Sequence, residues 1–213
     1  MPYAVKEMFA TLQGEGAHAG RASVFCRFTG CNLWSGREED RHKAACSFCD
    51  TDFIGTDGTG GGRFATPKDL ARALSDCWQD EAGDHPGRYV VFTGGEPLLQ
   101  IDDPLIEAVR AAGFEIAIES NGTIAAPSGI DWICVSPKPA SVVTQRSGQE
   151  LKLVFPQKAL PPSLFEEWDF THFWLQPMDG PDRVANTAAA VAYCLKNPRW
   201  RLSLQTHKLI GIP

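Results

Sequence analysis

Short apolar runs that alternate with amphipathic helices are the feature that most restricts how this chain can fold. Each run is rich in Val, Ile, Phe and Trp and is bounded by Gly, Pro or Asn, which is typical of a strand. The predicted strands are 22–28, 88–93, 115–119, 131–135, 150–155, 171–176 and 201–204. Helices are predicted at 67–80, 104–112 and 182–197. Strands separated by helices require right-handed crossovers, so the sheet should be mainly parallel.

Length and composition indicate that the predicted strands and helices form a single α/β domain over residues 1–213. The chain has 213 residues, of which 43% are hydrophobic, enough for one sizeable core. Predicted helices are fewer than strands, so we expect a reduced, partial TIM-like barrel of about six parallel strands. An extended loop at about 30–50 interrupts the pattern.

Charge and cysteine usage exclude several classes of protein. The net charge of −6 argues against a surface that neutralises nucleic-acid phosphates. There is no apolar run long enough to span a membrane and no basic-then-apolar secretory signal. Seven cysteines without such a signal indicate a reducing compartment, so we expect a cytoplasmic protein.

Polar motifs directly follow most of the predicted strands. In parallel sheets and barrels, ligands bind at the carboxyl ends of the strands, so the motifs predict one active site at that rim. The motifs are Thr93-Gly94-Gly95-Glu96, Glu119-Ser120-Asn121-Gly122, Ser136-Pro137-Lys138, Gln176-Pro177-Met178-Asp179 and Gln205-Thr206-His207-Lys208.

Three cysteines, Cys31, Cys46 and Cys49, form the strongest chemical signal. The last two stand in a C-x-x-C turn, and fourteen residues separate them from the first. Three thiolates can hold three irons of a cubic cluster and leave the fourth iron open to a small molecule. A structural zinc site, with His42 as a fourth ligand, and a redox pair are the alternatives. The other cysteines occur singly in apolar patterns and are predicted to be core residues: Cys26, Cys77, Cys134 and Cys194.

The segment Cys46-Ser47-Phe48-Cys49-Asp50-Thr51, taken with Thr93-Gly94-Gly95-Glu96-Pro97, resembles the radical S-adenosylmethionine enzymes, although their usual first cysteine interval is shorter. The resemblance implies a 4Fe-4S cluster on the three cysteines. It also implies S-adenosylmethionine bound by Phe48, Cys49, Asp50, Gly95, Ser136, Pro137, Lys138, Gln176, Pro177, Met178 and Asp179.

The N-terminal segment Thr11-Leu12-Gln13-Gly14-Glu15-Gly16, with Arg27 and the long cysteine interval, is similar to the 7-carboxy-7-deazaguanine synthase family over nearly the whole chain. The family's reaction converts 6-carboxy-5,6,7,8-tetrahydropterin to 7-carboxy-7-deazaguanine with loss of ammonia, in queuosine biosynthesis. A deoxyadenosyl radical begins it by removing hydrogen from C6. The resemblance further implies Mg²⁺ at Thr51, a homodimer and a flavodoxin-like electron donor. The implied substrate-binding residues are Leu12, Gln13, Gly14, Glu15, Arg27, Thr93 and Pro213.

The residue chemistry agrees with a small anionic substrate. Strand alternation places Arg27 on the face opposite to Val24 and Phe28, where a charge is unfavourable unless it is paired. A structural salt bridge is one explanation; a fork of donors for a substrate carboxylate is the one we favour. The Gln13 amide can match the donor and acceptor edge of a pterin, and Glu15 can accept from its exocyclic nitrogens.

Two other functions remain open at this point. A radical enzyme that activates a partner protein would share the cysteine motif but would need an open face for a polypeptide. A non-catalytic zinc-binding module would contain zinc and no iron. Three further polar residues are expected at the rim without a defined role: Glu119, Asn121 and His207.

Overall fold

The computed structural model describes residues 2–213 and contains nine strands and four α-helices within them. The strands are β1 (Tyr3–Leu12), β2 (Ala22–Phe28), β3 (Gly62–Phe64), β4 (Tyr89–Gly94), β5 (Glu115–Ser120), β6 (Trp132–Val135), β7 (Ser147–Phe155), β8 (Asp169–Pro177) and β9 (Trp200–Leu202). The helices are α1 (Pro67–Ala82), α2 (Asp103–Ala111), α3 (Arg183–Lys196) and α4 (Thr206–Ile210).

All nine strands form a single sheet in the order β3-β1-β2-β4-β5-β6-β7-β8-β9. The seven strands from β2 to β9 along this order pair in parallel, which confirms the predicted α/β fold with a mainly parallel sheet and few helices. The sequence did not predict β1 and β3. These two strands extend the sheet at one edge by antiparallel pairing.

Helices α1, α2 and α3 cover the outer face of the sheet, whereas α4 lies at the cavity. Helix α1 begins at a capping box, in which Thr66 accepts from the backbone of Asp69 and the Asp69 side chain accepts from the Thr66 backbone. The apolar sides of α1 and α2 bury Leu74, Trp78 and Leu105 against the outward residues of β2, β4 and β5. No helix within residues 2–213 is both long enough and apolar enough to cross a membrane.

The inner face of the sheet is polar toward its carboxyl end. In β2, Arg27 lies opposite Thr93 of β4, while Val24 and Phe28 belong to the outer core, as the alternation predicts. A small apolar cluster around Tyr89 and Val91 fills the amino-terminal end of the interior. The polar and charged side chains above it therefore face an enclosed space.

Residues 13–18, which follow β1, bridge the two sides of the sheet and are called the bridging segment. The N–H of Gly16 donates to Ser203 Oγ at 3.0 Å, just beyond β9. The N–H of Ala17 donates to Glu150 Oε1 of β7 at 3.0 Å. Strand β1 itself lies next to β2, so main-chain contacts of this segment, not strand pairing, connect β1 to the far side of the partial barrel.

Candidate active site

A cavity of about 440 Å³ opens at the carboxyl ends of the parallel strands, at the rim where the sequence predicts ligand binding. Every predicted site residue lines it except Pro137, which is buried. The cavity also brings together Glu119, Asn121 and His207. The predicted residues that line it are Leu12, Gln13, Gly14, Glu15, Arg27, Cys31, Cys46, Phe48, Cys49, Asp50, Thr51, Thr93, Gly95, Ser136, Lys138, Gln176, Pro177, Met178, Asp179 and Pro213.

The long cysteine loop has a small core of its own. Trp34 is buried, packs edge-on against Phe53 at 5.6 Å between ring centroids, and carries the Arg41 guanidinium over its ring at 4.3 Å. Arg41 Nη1 also donates to the carbonyls of Ser47 and Cys49, at 2.9 and 3.0 Å. A short 3-10 helix, Glu38–Lys43, supplies this arginine. Its residues thus order the C-x-x-C turn.

The three thiols line the same cavity, as ligands of one cubic cluster must. A hydrogen bond from Cys46 lowers the pKa of Cys49 to about 6. The N–H of Leu33 donates to Cys31 Sγ at 3.4 Å. No group of three His, Cys, Asp or Glu side chains within residues 2–213 is arranged around a single ion. Thiolates of a cubic cluster bind different irons, so they need not share one point.

The alternative zinc site loses its fourth ligand. His42 is exposed and does not line the cavity. Cys26 and Cys134, two of the cysteines that the sequence predicts to be core residues, are buried. The other two, Cys77 and Cys194, are partly buried and pack against the outer clusters. None of these four lines the cavity.

The two glycines that follow β4 allow that strand to pack against the end of β2. A Cβ on Gly94 would lie 2.4 Å from the carbonyl oxygen of Phe28. A Cβ on Gly95 would lie 2.2 Å from the carbonyl oxygen of Gly30 and 2.7 Å from Cβ of Cys31. The family resemblance assigns Gly95 to S-adenosylmethionine binding. The packing of the two glycines adds a second reason, because it places the Cys31 loop beside β4.

We expect Gly95→Ala to reduce stability by about 1–3 kcal/mol and to lower iron content, because the new methyl group must displace the Gly30 carbonyl and Cys31. Urea unfolding and iron analysis of anaerobically purified protein measure both effects. Gly62→Ala is the matched control, since its Cβ meets nothing nearer than 3.9 Å. Equal stability and iron content in the two variants would contradict the packing argument.

Glu96, the acid of the same motif, is fully buried and connects β4 to β5. Its carboxylate accepts from Ser120 Oγ at 2.9 Å and from the Asn121 N–H at 2.8 Å. Asn121 in turn donates to Asn32 Oδ1 at 3.0 Å, beside the first cysteine. Burial raises the pKa of Glu96 in spite of these bonds. Glu96 does not line the cavity, so it supports the rim from below.

A buried ion pair network crosses the floor of the cavity. Lys152 Nζ lies 2.5 Å from Glu15 Oε2 and 2.6 Å from Glu119 Oε2. Burial acts to raise the pKa of Glu15, but the Lys152 ammonium together with the hydrogen bond from Gln205 lowers it. Gln176 and Gln205 each donate to the other oxygen of Glu15, at 3.1 and 3.0 Å. Glu15 is therefore held rigidly and ionised at the position where the sequence predicts a pterin contact.

Arg27 forms the structural salt bridge that the sequence offered as one explanation, and its place in the cavity is compatible with the other. Its Nε donates to Glu7 Oε1 at 2.7 Å, a salt bridge to the neighbouring strand β1. Arg27 lines the cavity, and its two terminal nitrogens have no hydrogen-bond partner among residues 2–213. The Glu7 pair fixes the plane of the guanidinium and leaves a donor pair available for a carboxylate.

The segment that the sequence assigns to the pterin already forms several hydrogen bonds within the protein. The backbone of Gln13 bonds to Arg21 and Gly20, and its side chain accepts from the Glu15 N–H. The carbonyl of Gly14 accepts from Thr206, and Cβ at Gly14 would lie 2.1 Å from His207 Nδ1. Burial lowers the pKa of His207. His207 thus packs directly against the segment that the sequence assigns to the substrate.

The segments assigned to S-adenosylmethionine form another wall of the same cavity. Gln176 is buried, and its Oε1 has no hydrogen-bond partner among the described residues. Lys208 Nζ lies 2.6 Å from Asp50 and 2.7 Å from Asp179, so it connects the cysteine loop to the end of β8. Lys138 Nζ donates to Ser136 Oγ at 2.7 Å. An unpaired buried amide oxygen in this wall is consistent with a ligand that donates hydrogen bonds.

Sequence reasoning missed three residues that shape the site, and it placed Lys208 at the rim without predicting its contacts. Lys152 had a recognisable signal, because a charge in the alternating run Glu150-Leu151-Lys152-Leu153 must face the interior. Glu7 lies in a strand that was not predicted. Arg41 and Lys208 act across loops, and a single sequence carries no signal for such contacts.

A partial parallel barrel with three thiols on a loop above its rim, and with a polar cavity below them, defines a radical S-adenosylmethionine enzyme. Relatives agree over the full length of the chain. It is 64% identical over 213 residues to a 7-carboxy-7-deazaguanine synthase of Caulobacter vibrioides, and 65% identical over 214 residues to one of Bordetella pertussis, with 100% of each chain covered.

A solved structure extends the similarity to the fold. The crystal structure of QueE from Escherichia coli matches with a TM-score of 0.70 at 27% identity, covering 96% of this chain and 94% of that one. No protein-family model matches the chain. Identity above 60% over complete chains is decisive, and the protein belongs to the 7-carboxy-7-deazaguanine synthase family. The resemblance inferred from the sequence is confirmed.

Proposed function

We propose that this protein is a radical S-adenosylmethionine lyase that converts 6-carboxy-5,6,7,8-tetrahydropterin to 7-carboxy-7-deazaguanine with loss of ammonia, in queuosine biosynthesis. The full-length relatives carry the name of this activity. The observation that supports it most directly is that the three cysteines, the segments assigned to S-adenosylmethionine and the residues assigned to the pterin surround one cavity of about 440 Å³.

The family requires a 4Fe-4S cluster and S-adenosylmethionine, which supply a carbon-centred radical when bound. We assign the cluster to Cys31, Cys46 and Cys49, whose donor set suits it. The chain's own residues orient the substrate. The free nitrogens of Arg27 receive the pterin carboxylate, and the Glu15–Lys152–Glu119 network presents fixed charges to the ring. This orientation brings the reacting carbon of the substrate to near-attack distance, about 3–3.5 Å, from the radical carbon.

The proposal also includes a Mg²⁺ ion at the substrate. Thr51 lines the cavity and stands two residues after Cys49. Magnesium takes oxygen ligands and usually keeps several waters, so one hydroxyl and a substrate carboxylate are a suitable set. We therefore assign a Mg²⁺ ion to Thr51 in the substrate complex.

Two predicted protein partners, an electron donor and a second copy of the chain, are inferred from the family resemblance alone. We expect a flavodoxin-like protein to deliver the electron that reduces the cluster. We also expect a homodimer. Light scattering of the purified protein tests the dimer, and turnover with a reduced flavodoxin as the only reductant tests the donor.

The function is tested by incubating anaerobically reconstituted protein with the pterin, S-adenosylmethionine and a reductant, with and without Mg²⁺. We expect 7-carboxy-7-deazaguanine and ammonia, with faster turnover when Mg²⁺ is present. Deoxyadenosine that forms only after a partner protein is added would instead indicate an activase. Colourless protein that contains zinc and no iron would exclude the radical reaction.

We expect Arg27→Ala to weaken pterin binding by about 2–5 kcal/mol, because a buried carboxylate would lose its charged donor pair. Calorimetric titration with the pterin measures the change. Arg63→Ala, at an exposed arginine on the edge strand β3, is the control and should bind as the unmodified protein does. Unaltered affinity in Arg27→Ala would mean that the arginine serves only the Glu7 pair.

A further inference from the structure

The last residues of the described chain contact both walls of the cavity. Residues 205–213, called here the C-terminal strap, run from the end of β9 through α4 to Pro213. On the pterin side, the N–H and the hydroxyl of Thr206 donate to the carbonyl of Gly14, at 3.0 and 2.7 Å. Gln205 also donates to Glu15 at 3.0 Å. The strap is therefore bonded to two residues that we assign to the substrate.

On the other wall, the same strap holds two acidic residues together through Lys208. Asp50 follows the cluster ligand Cys49 directly, and Asp179 lies just beyond the end of β8. Both carboxylates lie within 2.7 Å of one ammonium group, whose side chain is two-thirds buried. Without that ammonium, the two like charges would repel, which would weaken the connection between the cysteine loop and the end of β8.

These contacts make the two walls interdependent. A ligand that orders Gly14 and Glu15 also orders Thr206 and, two residues later, Lys208. A ligand that draws the segments around Asp50 and Asp179 together fixes Lys208 from the opposite side. If the strap moves as one unit, each ligand removes part of the ordering that the other would otherwise have to achieve.

We propose that the C-terminal strap couples the two ligand subsites, so that the pterin tightens S-adenosylmethionine binding and the reverse, with Lys208 as the positioning residue. The inference rests on the proposed function, since it takes the occupants of the two walls from it. Thermodynamic linkage requires the same factor in both directions, and coupling between sites is typically about 5–150-fold.

The test measures dissociation constants of S-adenosylmethionine by anaerobic calorimetry, with and without saturating pterin. The cluster is kept oxidised so that no turnover occurs. The unmodified protein should bind S-adenosylmethionine at least about fivefold more tightly with pterin present. Lys208→Met should bring this ratio close to one, and Lys208→Arg should restore most of it. Lys196→Met, at an exposed lysine on α3, should keep the full ratio.

The outcomes separate the inference from the proposed function. Unmodified protein that binds neither ligand would overturn the proposed function. Unmodified protein that binds both, with the same ratio in Lys208→Met, would overturn the inference alone. Thr206→Val provides a second variant that leaves Lys208 in place. It should also lower the ratio, because it removes a hydrogen bond from the strap to the pterin side of the cavity. An undiminished ratio there would equally count against coupling.

Discussion

Replacing Cys46 by alanine should remove the cluster's absorbance, most of its iron and all turnover together. The thiol is buried in the cavity wall and bonded to Cys49, so its loss leaves two ligands for a cluster that needs three. The same result is expected for Cys31→Ala and Cys49→Ala. Iron analysis, visible absorbance and product formation under anaerobic conditions measure the three effects.

Cys194→Ala is the matched control for this series. Its thiol is partly buried on α3, packs against the outer core and does not line the cavity. It should retain full iron content and activity, with only a small loss of stability. Full activity in any one of the three cavity variants would refute the assignment of ligands.

Lys152→Met should reduce the free energy of unfolding by about 3–5 kcal/mol, because it leaves Glu15 and Glu119 facing each other in a largely buried site without a cation. Urea unfolding at equal cluster content measures the loss. Pterin binding should fall as well, since Glu15 loses the partner that fixes its position.

Lys152→Met has two controls. One replaces an exposed lysine elsewhere, and the other removes the negative charges that Lys152 neutralises. Lys158→Met, at an exposed lysine, should change stability by no more than about 0.5 kcal/mol. Adding Glu15→Gln and Glu119→Gln to Lys152→Met removes the repelling charges and should recover much of the lost stability. If Lys152→Met unfolds at the same urea concentration as the unmodified protein, the network does not hold the cavity floor.

The parallel part of the fold was predictable because its signals are local. The strand predicted at 22–28 coincides with β2, and the helix predicted at 67–80 differs from α1 only at its end. Strand β1 was missed because a bulge between Val5 and Glu7 shifts its alternation and buries Lys6 between two aspartates. Strand β3 has only three residues and pairs with β1, so nothing local identifies it.

The site was predictable where motifs stand next to strands, and not where contacts cross the molecule. The cysteines and the rim motifs follow strand ends, which fixes their position from topology alone. The pairing of Lys208 with Asp50 joins residues 158 positions apart, and that of Lys152 with Glu15 joins residues 137 apart. Such pairs depend on the final packing, which one sequence does not encode in any short pattern.

The bridging segment, and not strand pairing, joins β1 to the far side of the partial barrel, and this affects how the size of the cavity can change. A barrel sealed by strand pairing has a circumference set by strand number and stagger, and it can change only in whole steps. Here the gap between β1 and the far strands is spanned by hydrogen bonds and one ion pair from residues 14–17 of the bridging segment. Substitutions in this one segment can therefore widen or narrow the cavity gradually, which offers a route to altered ligand selectivity without re-registering any strand.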